Sequence, residues 1–177
     1  LMGVEGRVRD HYYSSFSAIL RKGFELEARV KNPPDNMINC LISFANSLLY
    51  TTVLTEIYHT QLNPTVSFLH EPGERRYSLA LDLSEVFKPA IADRVIFNLA
   101  NNRLIKAEHF HEELKACYLN DQGRRVFLRE YDGKLKTTIR HEKLGRHVSY
   151  QRFVRLECYK LVRHLLGEAD YRGFRQK

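Results

Sequence analysis

Apolar residues recur at intervals of three and four along most of this 177-residue chain, the spacing of helices with one buried face. Tyr13, Phe16, Ile19, Leu20, Phe24 and Leu26 carry it from Arg9 to about Val30. Asn32-Pro33-Pro34 breaks the pattern, and Asp35 is placed to cap the next helix. That helix has the clearest stripe: Ile38, Leu41, Ile42, Ala45, Leu48, Leu49, Val53 and Ile57. It is predicted to run to about Gln61, stopped by Asn63-Pro64. Residues 65–76 read as loop, and Tyr77–Leu81 is the only stretch that alternates like a short strand. Asp82-Leu83-Ser84-Glu85 has the form of a capping box, so a helix is expected from Asp82, kinked or restarted at Pro89. Ile91, Val95 and Leu99 continue its face to Asn101-Asn102.

The second half is less regular. Residues 103–118 fit a short extended piece and a helix. Asp121-Gln122-Gly123 reads as a turn. Val126 to Ile139 has helical patterning interrupted at Asp132-Gly133. Ser149 can cap a last long helix carrying Tyr150, Phe153, Val154, Leu161, Val162 and Leu165, closed by Gly167. The fold class expected is all-α, a single helical domain over residues 1–177 with one core. A chain that opens on Leu1 and enters a patterned segment at once suggests part of a longer protein.

Charge changes the picture. Lys and Arg number 28 against 21 Asp and Glu, a net charge of +7. This excess favours a polyanionic partner, nucleic acid first and an anionic membrane surface second. Cys40, Cys117 and Cys158 are far apart and form no Cys-x-x-Cys pair, which argues against a zinc ribbon or a redox motif. Thiols in apolar stretches suit a reducing compartment. With no signal peptide and no apolar run of membrane-spanning length in the pattern, the expected setting is the cytoplasm, with no membrane partner. No Gly-rich phosphate loop, Ser-His-Asp order or nucleophile elbow is present.

Three segments bring metal-type ligands to unusual places: Val4-Glu5-Gly6-Arg7, Phe68-Leu69-His70-Glu71 and Asp82-Leu83-Ser84-Glu85. One imidazole with several carboxylates suits Mn²⁺, with Mg²⁺ the physiological rival. Each segment also has a plainer interpretation. Asp82 and Glu85 serve equally as helix caps, His70 as a surface histidine and Glu5 as a solvated end residue. His109-Phe110-His111 sets two imidazoles on one side of a strand, a poor metal site by itself. Spacing alone therefore reaches a metal site in a basic helical domain and stops there.

The same residues carry a resemblance. "MGVEGRVRDHYY", "NPPDNMINCLISFANSLLYTTV", "LNPTVSFLHEPGERRYSLALDLSEVFKPAIADRVI", "FLREYDGKL", "SYQRFVRLECYKLVRHLLG" and "YRGF" are similar, in order and over nearly the whole chain, to the catalytic helical domain of the universal spacer-acquisition endonuclease of CRISPR adaptation. The resemblance implies a metal-dependent DNA endonuclease and integrase. Its ion, Mn²⁺ or Mg²⁺, would be held by Glu5, His70 and Glu85. Asp82 matches the acidic residue beside them, Tyr50 a tyrosine near the reacting strand and Lys88 a basic position. Arg7, Arg9, Arg21, Lys22, Arg75, Arg76 and Lys88 are the candidates for DNA phosphates. The implied partners are protospacer and repeat DNA, a second copy of the chain and the small ferredoxin-like second adaptation subunit. Gln61 and Ser67 stand where that family commonly has Gly, and the family's N-terminal β-rich domain has no counterpart in these 177 residues. The alternative is a non-catalytic DNA-binding or assembly module.

Overall fold

The computed structural model describes residues 2–69, 77–114, 116–142 and 144–175; of Met2 and Glu5 only the backbone is described. It is helical for most of its length. In order come α1 (Met2–Ser14), α2 (Phe16–Ile19), α3 (Met37–Ile57), α4 (Ser78–Phe87), a π-helical turn (Lys88–Ala92), α5 (Asp93–Asn101), β1 (Phe110–Glu113), β2 (Ala116–Leu119), α6 (Asp121–Lys136), β3 (Thr138–His141), β4 (Arg146–Ser149) and α7 (Tyr150–Leu165). The helical fold class holds. Contacts divide the chain into two compact units. The first holds Leu1–Ala45 and Asp93–Glu130, the second Asn46–Ala92 and Tyr131–Lys177.

In the first unit, the expected helix from Arg9 is two shorter ones, followed by extended chain. Phe16 is buried and makes edge-on ring contacts with Tyr12, Tyr13 and Phe97. Asn36, not Asp35, caps α3: its Oδ1 accepts from the Asn39 N–H at 2.9 Å. Asn39 is itself fully buried, so its side chain must be satisfied internally. Nδ2 donates to the Ala28 carbonyl and to Asp35 Oδ1, while Oδ1 accepts from Arg29 Nη1 and the Val30 N–H. This one amide ties the extended chain before α3 onto the helix.

The stripe on α3 is where the sequence placed it: Ile38, Leu41, Ile42, Ala45, Leu49, Val53 and Ile57 are all at most 1% exposed. α3 is also long and apolar enough to cross a membrane, contrary to the expectation that no such run exists. Its apolar stripe is buried within the protein, as in the core helix of a globular domain.

In the second unit, Tyr77–Leu81 is not a strand. α4 starts at Ser78, four residues before the expected start at Asp82, and buries Leu79, Ala80, Leu83 and Phe87. At Pro89 the α-helix is interrupted, as expected: α4 ends at Phe87 and α5 follows after a π turn. A proline has no N–H to donate, and the ladder widens there into the π turn before α5 begins at Asp93.

The Asp121-Gln122-Gly123 turn is instead the start of α6. Gly123 is required there by close approach: a Cβ would lie 2.5 Å from the His109 carbonyl oxygen. Gly133 meets nothing within 4 Å and is simply carried through α6. Two antiparallel hairpins replace the ambiguous stretches. β1 pairs with β2 from Phe110↔Leu119 to Glu113↔Ala116, and β3 with β4 from Thr138↔Ser149 to His141↔Arg146. Ser149 caps α7 as expected, its hydroxyl accepting from the Arg152 N–H.

Candidate active site

The acidic residues of α4 differ in what they do. Asp82 lies inside the helix, 8% exposed, so it is not a cap for α4. Its Oδ2 accepts from the backbone N–H groups of Phe68 at 2.7 Å and Leu69 at 3.0 Å. Two consecutive donors on one carboxylate oxygen fix the direction of the chain that leads into His70. Glu85, three residues on and so on the same face of α4, has a side chain 28% exposed and forms an ion pair with Lys88. Lys88 opens the π turn, and its own side chain is 18% exposed. Glu85 thus offers a carboxylate within reach of solvent, one helical turn from the Asp82 that holds Phe68 and Leu69, and a carboxylate is chemically suited to a hard divalent cation.

The other expected residues are spread over several elements. Glu5, Arg7 and Arg9 lie on α1, with Arg7 exposed and Arg9 half-buried; the Glu5 side chain is outside the described residues. So are His70, Arg75 and Arg76. Tyr50 is half-buried on α3, next to the fully buried Leu49. Arg21 and Lys22 follow α2, Arg21 half-buried and Lys22 exposed. Among the described residues no three His, Cys, Asp or Glu side chains converge. His109 and His111 do not act as a pair. His109 is buried and its Nδ1 accepts from the Lys106 N–H, while His111 lies on β1 against Tyr118.

Several polar groups carry no signal in the sequence. Tyr12, 38% exposed on α1, donates to Asp93 Oδ2 at 2.7 Å. Burial and that carboxylate push its phenol well above the usual range, so it acts as a donor and not as a base. Glu56 and Glu157 are each 1% exposed. Glu56 accepts from Gln151 Nε2 and Arg155 Nε. Glu157 accepts from Lys160 Nζ, the Tyr171 hydroxyl and the Phe174 N–H, which fastens the chain after α7. Both are fully engaged in holding structure. Their burial is invisible in sequence because α3 and α7 carry them inside otherwise apolar faces.

A part-exposed carboxylate beside a clamped loop in a basic helical chain is compatible with several classes of protein. Comparison with known proteins narrows this. The chain belongs to the family of CRISPR associated protein Cas1, whose family model matches residues 1–133. It is 59% identical over 175 residues to a CRISPR-associated endonuclease Cas1 of Thermodesulfovibrio yellowstonii, covering 99% of this chain and 54% of that one. Among solved structures, a Cas1 protein from Thermotoga maritima is 47% identical with a TM-score of 0.87, over 95% of this chain and 52% of that one. A casposase bound to integration product has the same TM-score, 0.87, at 24% identity, over 96% of this chain and 48% of its own, a likeness of fold. The chain thus spans about half the length of the relatives it matches.

Proposed function

We propose that residues 1–177 act as one helical, divalent-metal-dependent nuclease and integrase domain of CRISPR adaptation, cutting and joining DNA phosphodiesters to insert new spacers into the array. Membership of the Cas1 family supports this reading. The observation that carries it in the structure is the Asp82 clamp, which holds the chain entering His70 against the helix that bears Glu85.

Glu5, His70 and Glu85 would hold the ion, Mn²⁺ or Mg²⁺. When bound, it would supply Lewis acidity to the scissile phosphate and the leaving oxygen. The chain's own groups do the rest. Asp82 keeps the His70 segment in place. Lys88, paired with Glu85, is positioned to exchange that carboxylate for a backbone phosphate. Tyr50 orients the reacting strand. Arg7, Arg9, Arg21, Lys22, Arg75 and Arg76 neutralise phosphates along the DNA. The nucleophile is water in cleavage and a DNA 3′-hydroxyl in joining, so no covalent protein nucleophile is needed. The partners on this reading are protospacer and repeat DNA, a second copy of the chain and the small ferredoxin-like adaptation subunit, with no membrane. A reducing, cytoplasmic setting suits three buried free thiols.

The test is nicking of supercoiled plasmid by the purified chain with Mn²⁺, compared with His70→Ala. The expected result is cleavage by the parent and none by a variant that keeps the parent's circular dichroism spectrum. Full activity in the variant removes the assignment. Salt-sensitive DNA binding without nicking in the parent favours a DNA-binding or assembly module.

A further inference from the structure

In the first unit, an open depression of about 380 Å³ is lined by Arg21, Lys22, Arg103 and Lys106. We infer that it is a docking site for the phosphate backbone of a DNA duplex, which joins Arg103 and Lys106 to Arg21 and Lys22 in one contact; this rests on the DNA reading above.

The two halves of the depression come from distant parts of the chain and are fastened together. Asn101, the last residue of α5, donates from Nδ2 to the Ile19 carbonyl at 3.1 Å and accepts at Oδ1 from the Arg21 N–H at 3.0 Å. One amide therefore sets the turn after α2 beside the turn after α5. Four cations gathered this way repel one another, and little in their surroundings relieves that. Arg21 lies over the Phe24 ring at 5.7 Å, and its Nε is buried without a hydrogen-bond partner among the described residues. Lys106 faces Glu108 at 3.8 Å, both well exposed, a weak pair. Glu25 accepts from the Gly23 N–H and also lies near enough to Lys22 to offset part of its charge.

Arg103 is the most telling of the four. It adopts φ 57, the left-handed turn position after a helix that favours glycine. An arginine in this conformation bears the strain that a glycine would avoid. One role for its side chain is local, since a cation beside the C-terminus of α5 offsets the helix dipole. That role accounts for one positive charge at this end of the helix and leaves the other three without a purpose.

The ligand class is set by the lining of the depression. Among the described residues its lining is four charged groups on long, flexible stems at an open surface, suited first to backbone phosphates. Such a surface contacts phosphates irrespective of sequence. Its open shape suits a continuous polyanion that passes across it.

The experiment is the salt dependence of duplex binding, using a 20-base-pair DNA without metal. Arg103→Gly removes the charge and relieves the backbone, so it is expected to fold with unchanged or higher thermal stability. It should flatten the log–log slope by ~0.9, and Arg103→Gly with Lys106→Gln by about twice that. A parent slope in both variants overturns the docking site and leaves the DNA reading standing. A flat salt response in the parent chain overturns both.

Discussion

On α4, Asp82 accepts hydrogen bonds from two successive backbone N–H groups and Glu85 is paired with Lys88 one turn away. In the depression beside the end of α5, Arg21 Nε has no partner among the described residues and Lys106 meets Glu108 only at 3.8 Å. The first region uses its charge to fix the protein's own chain. The second gathers four cations, of which Lys22, Arg103 and Lys106 are exposed. The contrast separates positions where substitution damages the fold from positions where it damages ligand binding alone. Within α4 the same contrast recurs on a smaller scale, between a carboxylate 8% exposed and one whose side chain is 28% exposed.

The largest effect is expected where a ligand is removed and structure is not. Glu85→Ala should lower metal-dependent cleavage by more than the ~10–100-fold typical of residues that merely support a metal ligand. Its thermal stability should stay within about 0.5 kcal/mol of the parent, because a part-exposed ion pair contributes little. Steady-state nicking together with a melting curve checks both halves. A loss of stability as large as the loss of activity would erase the distinction between Glu85 and Asp82.

Asp82→Ala should show the reverse balance. Two N–H donors lose their acceptor, at a cost of about 1–3 kcal/mol. Activity should fall ~10–100-fold through the released His70 segment. Asp82→Asn retains one acceptor oxygen and should recover part of both. If Asn restored stability fully and activity not at all, Asp82 would be acting as a ligand and not as a clamp.

Asn101→Ala should be milder. Two exposed hydrogen bonds are lost, about 1 kcal/mol in all. The four cations then lose their fixed spacing, so duplex affinity at low salt should drop several-fold without any change in nicking at saturating DNA. Lys22→Ala marks the small end of the scale. An exposed lysine on the rim should leave stability within about 0.5 kcal/mol and flatten the salt slope by ~0.9. A Lys22→Ala variant that melted much earlier than the parent would place that lysine in the structure of the turn.

Where one physical signal dominated, the sequence was enough. The α3 stripe, the Ser149 cap and the end of α5 at Asn101 all follow from apolar period and end chemistry. Reading failed where one residue type serves two purposes. Asp82 looks like a cap because acidic residues open helices, yet it caps a different stretch of backbone fourteen residues earlier. Gly123 looks like a turn because glycine bends chains, yet it clears space for the His109 carbonyl inside a helix. The hairpins escaped because each strand is four residues, too short for alternation to stand out, and Phe110–Glu113 is mostly exposed. Residue types and order named Glu85 and Asp82 as candidates, and the Glu85–Lys88 pair follows the i,i+3 spacing of a helix, while the Arg103–Lys106 half of the depression depends on chain geometry that no spacing rule encodes.

The central claim is that Glu5, His70 and Glu85 share one divalent cation. Anomalous diffraction from crystals soaked in Mn²⁺ tests it most directly. A single strong peak is expected at bonding distance from the Glu85 and Glu5 carboxylates and the His70 imidazole. Those three side chains directed into separate regions, with manganese elsewhere or nowhere, would contradict it.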